Sequence, residues 1–216
     1  MSMKSDSTQS RSMPPARQKL LDAAMSLIRE KGYVAATVDE LCTRAGVAKG
    51  SFFHHFKDKE AIAVAAANYW SDKTGAFFAA APYHQFEDPL DRLLGYIEFR
   101  RSILKGEIPE FTCLVGTMVQ EIYATNPAIR EACDASISGH ARTIEADIAQ
   151  AMEFYGVSAD WTANSLALYT QAVLQGAFVL AKAQDGAEIA ISSLDHLHRH
   201  IELLFRPSQQ QERKAS

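Results

Sequence analysis

The sequence is short of the features that would set it apart from ordinary soluble domains. Its three cysteines, Cys42, Cys113 and Cys133, are widely separated and form neither a CxxC pair nor a zinc-ligand spacing. Scattered thiols in odd number point to a reducing compartment and argue against a disulfide-stapled fold. No apolar run reaches the roughly 18–20 residues of a membrane span. Residues 1–15 hold no apolar segment of the secretory kind. A cytoplasmic protein with no membrane partner is therefore expected. Period-two alternation of β-branched and polar residues is missing, so no strand is predicted. The sequence also lacks GxSxG, HExxH, P-loop and Rossmann patterns. No enzyme activity, catalytic residue, cofactor or metal is predicted. His196 and His200 share a helical face, but no third ligand is fixed beside them.

What is present is a helix-forming composition. Hydrophobic residues make up 47% of the 216 and charged residues 22%. That is enough apolar material for a sizeable core. The net charge is −4, yet residues 1–60 hold 10 Lys/Arg against 7 Asp/Glu, so the basic share lies near the start. A mildly basic head on an acidic body keeps a nucleic-acid partner open for the head.

The expected fold is all-α with about nine helices. Residues 1–15 read as a polar, disordered arm. Helices are predicted over 16–31, 38–45, 49–56, 59–80, 89–104, 110–124, 127–155, 160–184 and 187–205, with Gly or Pro at the breaks. Residues 16–62 form a head, 63–206 a body and 207–216 a polar tail.

The informative stretch is Thr37 to Ile62, TVDELCTRAGVAKGSFFHHFKDKEAI. Thr37 and Glu40 are spaced as a capping box, each side chain serving the other's backbone amide. Gly46 suits the positive φ of a tight turn. A second short helix then places Lys49, Gly50, Ser51, Phe53 and His54 outward, while Phe52 and Phe56 join a small core. Two short helices at this spacing are a helix-turn-helix, whose second helix fits a major groove. Gly50 leaves room for close approach of a DNA backbone or base edge.

This stretch resembles the TetR family of transcriptional regulators over residues 16–62. The resemblance implies a three-helix DNA-binding head followed by a helical ligand-binding and dimerisation body. It implies phosphate contacts from Thr37, His54 and Lys59, and base and backbone contacts from Lys49, Gly50 and Ser51. Phe53 departs from the family, where Tyr is usual, and so loses a phosphate-bonding hydroxyl. Phe53 is left to pack on a sugar or a thymine methyl. Arg11 and Arg17 are further candidates for phosphate or minor-groove contact.

The resemblance also implies a repressor released from a palindromic double-stranded operator by a small apolar or electrophilic effector. The alternative is a DNA-binding regulator without an effector, controlled by a partner protein. Residues 160–205 are expected to form a homodimer interface, since residues 160–184 are apolar on more than one face and carry Gly176 for close helix approach. An effector pocket is expected from Trp70, Tyr96, Phe99, Met118, Tyr123, Tyr169 and Phe178, with Phe77 and Gln171 nearby. Cys113, in FTCLVG, opens a helix and resembles the cysteine segment of NemR-type members. It is therefore a candidate sensor of electrophiles or oxidants, because a helix N-terminus favours the thiolate.

Overall fold

Thr37 and Glu40 close the first turn of a helix upon each other. The Thr37 hydroxyl accepts from Glu40 N at 3.2 Å, and the Glu40 carboxylate accepts from Thr37 N at 2.9 Å. Lys31 lies 2.5 Å from the same carboxylate. These hydrogen bonds hold the Glu40 carboxyl down at about 2. The box opens α2 (Val38–Ala45), which Gly46 ends in the left-handed region at φ 64°. On either side lie α1 (Pro15–Lys31) and α3 (Lys49–His55). Leu20, Leu21, Leu41 and Phe52 are almost wholly buried where the three helices meet.

The computed structural model describes residues 13–205. The predicted tail, most of the predicted arm and Arg11 lie outside the described residues. Asp58 caps α4 (Lys59–Ala79) by accepting from Ala61 N at 2.7 Å. A single 3₁₀ turn follows at Pro82–Gln85, outside the helices expected from sequence. The body continues as α5 (Pro89–Ser102), α6 (Ile108–Phe111), α7 (Leu114–Ile122), α8 (Pro127–Phe154), α9 (Ala163–Gln184) and α10 (Glu188–Phe205). Among the described residues there are ten α-helices and no strand.

One expected helix is divided. The sequence predicts a single helix over residues 110–124, but α6 and α7 are separate. Pro109 moves the start of α6 forward to Ile108, and Thr112 takes an extended backbone (φ −83°, ψ 160°). Cys113 then begins a new helix as its N-cap, Sγ accepting from Gly116 N at 3.4 Å.

Two apolar clusters hold the chain together. One unites α1, α2, α3 and the first half of α4 with Leu114, Val115, Met118 and Ile122 of α7 and with Ile129 and Cys133 of α8. The other unites the end of α4 with α5, α9, α10 and the later part of α8. Residue 62, the sequence boundary between head and body, thus falls inside α4 and inside a shared core.

By length and composition α9 would suffice to cross a membrane, contrary to the expectation from sequence. Its Leu166, Leu174, Ala177, Phe178 and Ala181 are buried in the second cluster.

The turn after α1 is fastened by the body. Gly32 sits at φ 89°, ψ 162°, a conformation open essentially to glycine alone. A Cβ there would lie 2.0 Å from Glu121 Oε1. The same carboxylate accepts from Val34 N at 2.8 Å. Gly32→Ala should therefore cost about 2–3 kcal/mol, most of it backbone strain. Glu121→Ala should cost about 1 kcal/mol for the lost hydrogen bond. In urea unfolding the double variant should lose less than the sum of the two, because the clash is removed with Glu121. Strict additivity would mean that the carboxylate does not rest on the turn.

Candidate nucleic-acid interface and internal cavity

The face of α3 is built from one inward and several outward side chains. Phe52 is wholly buried and Phe56 nearly so, their rings 5.8 Å apart. Helical spacing then leaves Lys49, Gly50, Phe53 and His54 exposed, with Ser51 and His55 half-buried. Phe53 is 52% exposed although it touches Phe52 edge-on at 5.2 Å. A bare aromatic ring on a short helix gains nothing from the core it has left. Nothing lies within 4 Å of a Cβ built on Gly50, so packing does not require glycine there.

The cations of this face differ in how they are held. Lys49 Nζ lies 2.7 Å from Asp39 Oδ1, both side chains well exposed. This hydrogen-bonded carboxylate raises the lysine pKa. An exposed pair of this kind is weak and can exchange its carboxylate for a phosphate. Asp39 as the counter-ion of Lys49 was not seen in the sequence; its position in the first turn of α2 was the available signal. Lys59 is engaged elsewhere: it donates to Val34 O at 3.0 Å and stands 4.4 Å over the Tyr33 ring. Burial lowers its pKa. Thr37 is exposed at the start of α2 with its hydroxyl committed to Glu40. Arg17 belongs to α1 and lies 5.3 Å over Phe56.

Below the head a cavity of about 460 Å³ opens between α4, α5, α8 and α9, closed at one side by α6, Cys113 and Arg29 of α1. Of the expected effector residues, Trp70 and Phe178 line it, together with Cys113, Phe77 and Gln171. The other five do not. Tyr96 lies behind the wall, bonded to Arg100 and His140. Phe99 also lies behind it, 5.2 Å from the Phe77 ring and 5.6 Å from that of Phe78. Met118 is fully buried in the core shared with the head, Tyr123 is exposed at the end of α7, and Tyr169 is exposed beside His200.

The reason for the difference is helical phase. On α9 the cavity takes Gln171, Leu174, Gln175 and Phe178, which turns Tyr169 to the opposite side. On α7 the cavity takes Val115 in the first turn, whereas Met118, one turn further along, lies in the core shared with the head.

Sequence reasoning missed the polar part of the wall. Arg100 Nε donates to Tyr96 Oη at 2.9 Å, and Arg100 Nη2 to His140 Nε2 at 2.8 Å. Tyr96 Oη is also 3.0 Å from His140 Nε2. Burial, and then the neighbouring guanidinium, push His140 down to about 3, so it is neutral at physiological pH. Only the four-residue spacing of Tyr96 and Arg100 was visible beforehand. Arg29 lies 5.1 Å over Trp70 and donates to the backbone carbonyls of Met25 and Glu110 at 3.0 and 3.1 Å. Burial lowers its pKa. Among the described residues no group of three or more His, Cys, Asp or Glu side chains is placed to hold a metal ion.

Comparison with known proteins agrees at both ends of the chain. Residues 20–66 match the bacterial regulatory proteins of the tetR family. Residues 89–190 match the C-terminal domain of LmrA/YxaF-like transcriptional regulators. The uncharacterized HTH-type transcriptional regulator YvkB of Bacillus subtilis (strain 168) is 32% identical over 96 residues, 43% of this chain and 51% of its own. The chain thus spans about half the length of that relative. The crystal structure of regulatory protein TetR from Rhodobacter sphaeroides superposes with a TM-score of 0.77 at 26% identity, over 87% of this chain and 99% of that one. The reduced form of E. coli NemR gives 0.77 at 21% identity, over 90% and 99%, a likeness of fold.

Gly50→Ala separates folding from recognition. With open space at the Cβ and a helical backbone, alanine should stabilise the protein by about 0.5–1 kcal/mol. The same methyl group should weaken binding to specific duplex DNA by about tenfold or more, the scale of one lost base contact. A variant with a raised melting temperature and unchanged DNA affinity would mean that α3 does not approach DNA at residue 50.

Proposed function

We propose, from a chain that belongs to the TetR family of bacterial regulatory proteins, that it is a repressor released from its operator by a small molecule. The observation that carries this reading is the outward set on α3 around Gly50, a position free of any packing duty. Lys49, Gly50 and Ser51 read bases and adjacent backbone, and Phe53 packs on sugar or a thymine methyl. His54 and Thr37 meet phosphates. Lys59 supports the Tyr33–Val34 loop and turns its remaining donors to the backbone.

Two copies pair through the outer side of α9. Ala172 and Gly176 are exposed there between Leu168 and Tyr169 at one end and Val179 and Leu180 at the other. Small residues flanked by large apolar ones suit close helix contact across a twofold axis. From α10 the partner face receives Leu203, because Leu194, Leu197 and Ile201 are buried in their own subunit. A twofold dimer reads a (pseudo)palindromic operator. The cavity favours a small-molecule effector over control by a partner protein, since its size falls in the range of ligand sites.

Cys113 is the reactive thiol in this reading. It lines the cavity at the N-terminus of α7, with the cation of Arg29 on the same wall and Lys182 on the other side of the thiol. Burial raises Cys42 and pushes Cys133 up to about 12, which leaves both as inert thiols.

Fluorescence anisotropy tests the DNA reading, with duplex from directly upstream of the gene and a scrambled duplex as control. Tight binding of two subunits or more per site, weak on the scramble, is expected. Lys49→Ala and Ser51→Ala should change sequence preference, while Lys59→Ala should weaken all sequences alike. Equal losses on both duplexes for every variant would remove the base-reading role. Cys113→Ser should abolish release by a quinone or an aldehyde; a wild-type dose response in that variant would rule out the thiol as sensor.

A further inference from the structure

We propose that the cavity takes an organic anion, a carboxylate seated on Arg100 with its apolar body against the aromatic wall. This rests on reading the cavity as an effector site and names the class of effector.

The argument begins with how Arg100 is held. Its guanidinium stands 4.2 Å over the Phe78 ring and is bonded along one edge by Tyr96 Oη and His140 Nε2. All three neighbours are uncharged. Among the described residues no carboxylate lies within 4 Å of it, whereas Arg92 has Asp147 at 2.7 Å, Arg101 has Asp195 at 2.8 Å and Arg44 has Glu30. A guanidinium carries five N–H donors, and these two bonds use one on Nε and one on Nη2. The donors left over, on a half-buried cation that lines the cavity, form the fork that a carboxylate accepts in bidentate fashion.

The rest of the cavity supplies the other half of an amphipathic site. Trp70, Phe77, Phe111, Leu174 and Phe178 give it an apolar wall. The second cation, Arg29, donates to two backbone carbonyls, and its charge is offset by the nearby Glu110 carboxylate. Arg100 has no such offset, so it is the end that attracts the anion.

A neutral apolar ligand would strip water from the free donors of Arg100 and return nothing. An anion returns acceptors and charge together. His140 cannot compete for the proton or the charge, since it remains neutral beside the guanidinium. The Tyr96–His140 edge thereby fixes the direction of the fork, with Gln171 Nε2 3.4 Å from Tyr96 Oη behind it.

Matched acid and amide pairs test this on the full chain without DNA. The probes are 4-phenylbutyrate with 4-phenylbutyramide, and octanoate with octanamide, titrated by calorimetry with tryptophan fluorescence as a second signal. At least one acid should bind about tenfold more tightly than its amide. Arg100→Gln should abolish that preference, and Arg100→Lys should keep part of it, because a point charge remains without the fork. The lysine variant also serves if the glutamine variant melts early. Equal affinity of acid and amide in both pairs, or no binding of either acid at about 1 mM, overturns the proposal. So does an acid preference that survives in folded Arg100→Gln. Binding of acids by a protein that reads no operator would leave the anion site standing and remove the regulator; operator binding with indifference to the acids would do the reverse.

Discussion

The structure depends on one helix, α7, that belongs to the body in sequence and to the head in packing. Its Leu114, Val115, Met118 and Ile122 are buried with the head residues of α1 and α4. A nine-residue helix with this much of its surface buried cannot be part of the body alone. Its apolar face fixes where the head sits, and its two ends serve further purposes. At the start, Cys113 and Val115 line the cavity. Near the end, Glu121 accepts from Val34 N and rests on Gly32, the turn that leads into the Thr37 capping box. Cavity wall and head turn are thus about 12 Å apart along a single rigid rod.

That arrangement supplies a route for the proposed release from DNA. A closely packed core moves between discrete arrangements and does not deform smoothly. A ligand that prefers a shifted α7 changes the support of the Gly32–Val34 turn, and with it the placement of α2 beneath α3. The same shift passes through α4, which carries Lys59 at its head end and Trp70, Phe77 and Phe78 at the cavity. A differential affinity of a few kcal/mol is enough to move such an equilibrium most of the way. The strained glycine and the carboxylate above it make the turn a two-sided contact, fixed by both covalent geometry and the body.

Much of the fold was legible in the sequence because its signals are local. The Thr37–Glu40 box and the Gly46 turn each follow from residues a few positions apart, and each is found as predicted. The resemblance to TetR regulators rested on the same local spacing. The cavity was legible only in part because its wall is set by the rotation of helices about their own axes. Tyr169 and Phe178 look equivalent in an apolar helix, yet one faces solvent and the other the cavity. The break at Thr112–Cys113 escaped because no Gly or Pro stands at it and a lone Thr is also found inside helices; a thiol caps the new helix. The contact between Arg100 and His140, forty residues apart, has no sequence signature at all.

Electrostatics works in this molecule at two levels of exposure, and the two proposed partners follow from that difference. Lys49 and Asp39 face each other in water, where attraction is weak and salt-screened. Such a lysine gives up its carboxylate readily for a denser array of phosphates, and the exchange grows with the number of contacts made. Arg100 is half-buried, over an aromatic ring and beside neutral acceptors. Little salt reaches it, and each hydrogen bond there is stronger than at the surface. The head is therefore suited to a partner recognised by many weak, screened contacts. The cavity is suited to one recognised by a single strong fork and an apolar body. Coupling the two through α7 lets a small anion of few atoms oppose a surface of many charges, because it acts on the packing that aligns those charges and not on the charges themselves.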